Sequence, residues 1–251
     1  MRGAFLLLFW IMALTSAMAE PFRTNDEASK WVQYYYMNPD PSRLPDLVQH
    51  IIKLRMAKSK TEAHGIAGFL SGIFRNDPDK ISLRMEQISA LQHPEHIRIV
   101  ILGLWYAALP ESQEMAQALL EKHPDLKPEF RFVYTEPPTK AGQEIPLEQA
   151  LFVQDALWGQ FFATGDKAPV ERVISMLPML DLGQRIKGYP NAHQSVAMFA
   201  YVSLLGHAWK HERVLKICEE TAKTESPDVA MKLNEVVAKA KQSLKSGQIP
   251  F

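Results

Sequence analysis

Residues 77–123 read DPDKISLRMEQISALQHPEHIRIVILGLWYAALPESQEMAQALLEKH. Pro78, Pro94 and Pro110 fall sixteen residues apart each time, and an acid follows each of them: Asp79, Glu95 and Glu111. A proline at the first helical position gives up an N–H that would have no intrahelical partner. An acid in the first turn complements the helix dipole. Asp77 before Pro78 adds an N-cap oxygen. The spacing predicts helices of about 14 residues, ~21 Å long, joined by turns of two or three residues. Turns that short make consecutive helices antiparallel, so the predicted unit is a helical hairpin of about 32 residues.

The same punctuation extends outward. Ser226-Pro227-Asp228 repeats the strong signal, Leu44-Pro45-Asp46 repeats the proline-acid pair, and Thr24 with Glu27 and Ser59 with Glu62 have capping-box spacing. Apolar residues recur every three or four positions, and period-two alternation is nearly absent. The predicted helices are 26–37, 45–57, 60–76, 78–91, 94–108, 111–123, 147–164, 169–180, 192–209, 211–224 and 227–245. The fold class is therefore all-α: stacked antiparallel helical hairpins forming an α-α superhelix.

Composition bounds the function. The chain has 251 residues, 47% of them hydrophobic and 22% charged, which is the profile of a folded globular protein. The 28 basic residues balance 28 acidic ones. That balance argues against a nucleic-acid partner, whose phosphates call for a basic excess. Cys218 is the single cysteine, so neither an intrachain disulfide nor a CxxC motif exists.

The first nineteen residues predict an address. Arg2 is followed by an eleven-residue apolar run, Ala4 to Leu14, and then by small residues at Ala17 and Ala19. This is the pattern of a secretory signal peptide, and the apolar run is too short to span a membrane. Cleavage is expected between Ala19 and Glu20, giving an exported protein, periplasmic or secreted. Its parts are a signal peptide (1–19), an N-terminal helical lobe (20–123), a Pro-rich linker or arm (124–146) and a C-terminal helical lobe (147–251). The two lobes are alternatively one continuous domain, 20–251. The 124–146 segment holds five prolines and the alternating run Phe130-Arg131-Phe132-Val133-Tyr134. It is expected either as an extended arm packing its aromatics along the helices or as a lid over a groove between the lobes.

Three glycines share a context. Leu102-Gly103 precedes Tyr106, Trp158-Gly159 precedes Phe162, and Leu205-Gly206 precedes Trp209. Glycine costs a helix interior about 1 kcal/mol relative to alanine, so close approach of a neighbouring helix is the expected reason. Around the third glycine, Val202, Leu205, Gly206, Trp209, Leu215 and Cys218 are spaced as in a tetratricopeptide repeat, and the chain resembles that family over about one repeat. Ala222 and Glu225 depart from the pattern, and Pro227 comes about three residues early. The resemblance implies a stacked helical scaffold of the kind that binds proteins or peptides.

Motifs of chemistry are sparse. No GxSxG, P-loop, GxGxxG or EF-hand pattern is present, and no cofactor is implied. His207 and His211 lie on one helix face and offer an alternative reading, a metal-dependent hydrolase on an all-α scaffold. HExxH is absent, however, because the stretch reads His-Ala-Trp-Lys-His. Asp155 and Asp166 flank the aromatic cluster Trp158-Phe161-Phe162, and Cys218 sits on an apolar stripe as a buried structural thiol. Trp31, Tyr34, Tyr35 and Tyr36 wrap most of one helix, while Phe130, Phe132 and Tyr134 lie in the arm. These seven aromatics are the candidate partner-binding residues of a non-enzymatic module that recognises a protein or peptide partner.

Overall fold

A computed structural model describes residues 21–54, 60–136, 138, 150–180 and 192–249. Every regular element among them is helical, and the protein is all-α. The helices are α1 (Asn25–Tyr34), α2 (Leu44–Leu54), α3 (Lys60–Asn76), α4 (Ile81–Gln87), α5 (Pro94–Ala107), α6 (Pro110–Lys122), α7 (Phe132–Thr135), α8 (Ala150–Thr164), α9 (Lys167–Ile174), α10 (Ala192–Lys210), α11 (Glu212–Thr221) and α12 (Pro227–Ser246). No described helix is long and apolar enough to cross a membrane.

The prolines act as starts. Pro94, Pro110 and Pro227 each occupy the first turn of their helices. Pro78 opens a 3-10 turn, Pro78–Lys80, that leads into a short α4. Asp77 caps nothing there; its carboxylate lies 2.9 Å from the Lys80 ammonium and 3.3 Å from the Arg84 guanidinium. At α1, Thr24 Oγ1 accepts the Glu27 N–H at 3.1 Å, and Glu27 reaches back to the Arg23 N–H at 2.9 Å. The Ser59–Glu62 pair lies outside the described side chains. Helix α5 stops at Ala108, a non-glycine residue with φ 52°.

The arm differs from the extended run expected of it. Pro124–Leu126 is a 3-10 turn and Phe132–Thr135 is the helical turn α7, so Phe130 to Tyr134 is not extended. The Gln113 and Gln117 side-chain amides both donate to the Val133 carbonyl, at 3.3 and 3.2 Å, fixing α7 on α6. Phe132 packs edge-on against Trp105, and Phe130 is buried beside it. Residues 139–149 and 181–191 lie outside the described part.

Helix α3 is central. It packs on α8 on one side and α5 on the other. Against α5 it runs antiparallel: the His64 ring lies beside Tyr106 and the Leu70 Cβ beside Gly103. Against α8 it runs parallel, with Gly65 beside Asp155, Gly68 beside Ala156 and Gly72 beside Ala163. A Cβ placed on Gly68 or Gly159 would fall within 3 Å of the facing backbone, so these two helices touch main chain to main chain. Close approach is thus the reason for glycine at 159. Gly103 shows it in milder form, 3.2 Å from the Leu70 Cβ. One buried cluster runs from Phe22 to Ala240 through both predicted lobes. Helices α10, α11 and α12 close the far end, packed on one another and on α9.

Candidate functional site

The α3–α8 crossing has a cavity beside it. Its volume is about 480 Å³, and five helices wall it: α1, α2, α3, α8 and α10. A wall from α8 follows from helical spacing, since Asp155, Trp158, Gly159 and Phe162 are i, i+3, i+4 and i+7 on one face. Helix α3 contributes Gly65, Ile66 and Phe69 in the same way. Because the glycines let the two backbones meet, no side chain fills the wedge above the crossing. Helix α1 lies across it and adds Asn25, Ser29 and Gln33.

Most of the polar groups here satisfy one another. The Gln33 amide donates to Ser29 Oγ at 2.9 Å, and His50 Nε2 lies 3.0 Å from Asn25 Oδ1. Asp155 is different. It makes no hydrogen bond or ion pair with any described residue, and burial alone pushes its carboxyl up to about 6. It remains an anion at neutral pH in a wall made of Trp158, Phe162 and Phe69. Trp158 is 5% exposed, and its indole N–H has no acceptor.

His207 lies behind Trp158, the ring centroids 4.1 Å apart, and burial pushes its imidazole down to about 3. His211 is 1% exposed and is pushed down to about 4 by the same cause. The rings stand 5.7 Å apart inside Trp158, Phe161, Phe162 and Tyr36. His207 Nδ1 and His211 Nε2 are buried with no hydrogen-bond partner. Among the described residues no group of three or more His, Cys, Asp or Glu stands together. The pair therefore has aromatic faces around it where a metal site needs further donors. Cys218 is fully buried, with its thiol pushed up to about 12.

The seven aromatics named from sequence are dispersed. Trp31 is half-buried against Phe22, Tyr35 and Phe69. Tyr35 is a core residue at 4% exposure. Tyr36 packs on Phe161, with its hydroxyl 3.4 Å from His211 Nδ1, and occupies the space beside Gly165 (φ 68°). Tyr34 is at the surface, with its hydroxyl donating to the Lys210 carbonyl at 3.4 Å. Phe130 and Phe132 pack near Trp105. Tyr134 is exposed and donates to Glu121 at 2.9 Å. None of the seven lines the cavity. Asp155 was one of several acids noted in the sequence, while Gly65, Ile66, Phe69, Asn25 and His50 carried no individual signal. The spacing of Gly65, Gly68 and Gly72, one stripe of α3, was the available clue.

No family model, curated relative or solved structure matches this chain.

Proposed function

We propose that this is an exported, non-enzymatic binding protein of the cell envelope, a helical-repeat scaffold that receives part of a polypeptide partner in the cavity between α1, α3 and α8. The observation that carries this reading is the cavity itself. At about 480 Å³ it is of ligand-site size, its walls are largely aromatic and aliphatic, and it includes the Asp155 carboxylate, which the protein leaves unpaired. The tetratricopeptide-like spacing around Gly206 supports a scaffold. Export is supported by the pattern of residues 1–19. Packing also begins promptly beyond the proposed cleavage point, with Phe22 5% exposed beneath the Arg43 guanidinium.

The test uses the mature chain in its own host envelope. A photoreactive residue at Ser29, on the exposed rim of α1, is expected to cross-link a polypeptide. Gly65→Leu, which fills the cavity from α3, is expected to abolish the adduct. An adduct that survives Gly65→Leu, or none at all, would remove the cavity from the binding surface. N-terminal sequencing is expected to read Glu20-Pro21-Phe22; a chain still beginning at Met1 would overturn export by cleavage.

A further inference from the structure

Among the described residues that line the cavity, Asp155 carries the only fixed charge, and no Lys or Arg stands among them. The other polar side chains are neutral amides, a hydroxyl, an indole and two imidazoles. Asp155 differs from the paired acids among the described residues. Asp77, Glu121, Glu171, Glu212, Glu219 and Glu235 each have a lysine within 3 Å. A half-buried carboxylate without a counter-ion weakens the fold that holds it, because burial penalises the charged form. The same wall includes the rings of Trp158, Phe162 and Phe69, and aromatic rings attract cations electrostatically.

Resting on the reading of the cavity as a polypeptide site, we propose that its occupant is a lysine side chain of the partner, with the ammonium paired to Asp155 and the methylene stem along Ile66, Trp158 and Phe162. The lysine supplies the missing counter-ion. Its apolar stem suits the remaining wall, as long basic side chains bury their methylenes and keep the charged end polar. One observation favours a peptide-borne lysine over a free amine: the volume exceeds what an ammonium and its stem fill, leaving space for flanking backbone.

The experiment is an NMR titration of the full mature chain that follows the Trp158 indole N–H resonance. The probes are N-acetyl-lysine N-methylamide, the norleucine analogue lacking the ammonium, and cadaverine as a free amine. The lysine probe is expected to shift the resonance saturably and to bind about tenfold or more tighter than the norleucine probe. Asp155→Asn is expected to remove that preference, and Asp155→Glu to retain most of it. Thermal melts check that both variants fold; Asp155→Asn is expected to melt no lower than wild type. Equal binding of the lysine and norleucine probes, or an unchanged preference in Asp155→Asn, would overturn the charge assignment. Tighter binding of cadaverine than of the lysine probe would overturn the peptide source. If no probe shifts Trp158 while Ser29 still cross-links a polypeptide, this inference fails and the binding reading stands. If neither occurs, both fail.

Discussion

Helix α3 meets α8 and α5 in different ways. Against α8 the contact is main chain on main chain, through Gly68, Gly159 and Ala156. Against α5 the approach is looser, with the Leu70 and Phe74 side chains and the Ala67 carbonyl over Gly103. The α5 side is filled, and no α5 residue lines the cavity. The α8 side is where the cavity lies. Helices brought together by glycine leave nothing large at the crossing to fill the wedge that opens beside it. The close backbone contact and the cavity beside it are thus two results of one choice of residues.

Gly159→Ala is the most direct way to break this comparison. The added Cβ would meet the α3 backbone, which cannot rotate aside as a side chain can. Destabilisation of about 3 kcal/mol is expected, read as a lower urea midpoint. Gly103→Ala meets the Leu70 Cβ at 3.2 Å and the Ala67 carbonyl at 3.3 Å. That strain is offset by helix propensity, so its cost is expected to stay below about 1 kcal/mol. Equal losses for the two variants would erase the distinction between the faces.

Acid tests the aromatic cluster behind Trp158. His207 and His211 are held down at about 3 and 4, against an ordinary 6.5. The unfolded chain therefore takes up two protons first, and the stability given by the neutral pair is present above pH 6.5 and lost as pH falls toward 4. Asp155, held up at about 6 against 3.8, acts oppositely over its own window, because there the folded state holds the proton. Two groups against one leave a net loss. The urea midpoint is expected to be lower at pH 4.5 than at pH 7, and His207→Phe to flatten the dependence. A midpoint constant across that range would mean that the histidines are not buried neutral.

The smallest expected effect is at Gly65, on the cavity side of α3. A Cβ there meets Asp155 atoms at 3.8 Å, an ordinary contact. Gly65→Ala is expected to stabilise by about 0.5–1 kcal/mol through helix propensity and a less free unfolded chain. Destabilisation by Gly65→Ala would place the close crossing one turn earlier in α3 than the structure has it.

The helices were largely legible because their signals are local. Pro94, Pro110 and Pro227 start helices, and Thr24 caps α1. Gly159 announced a close neighbour without saying which one. The arm was misread as extended because alternation in Phe130 to Tyr134 is a local pattern, whereas the Gln113 and Gln117 amides that hold α7 lie about twenty residues away. The cavity was legible only in fragments, as the glycine stripe of α3 and the Asp155–Trp158–Phe162 face of α8. Its walls come from five helices, and Asp155 is distinguished only by the lack of a partner in space. The tyrosine run shows a related effect: sequence shows three adjacent rings, and only the fold sends Tyr35 inward, Tyr34 outward and Tyr36 onto Gly165.

The α3–α8 contact joins residues about ninety positions apart, such as Gly68 and Ala156. A chain released N-terminus first carries α3 well before its closest neighbour exists, and a contact this distant in sequence closes slowly. Until α8 arrives, Gly68 and Gly72 lack their facing helix, while Phe69 already has Trp31 and Tyr35 beside it. The α3–α8 part of the core is therefore completed only when the second half is present. The α3–α5 pairing can form within the first half of the chain, while the α3–α8 seam is closed only by the second.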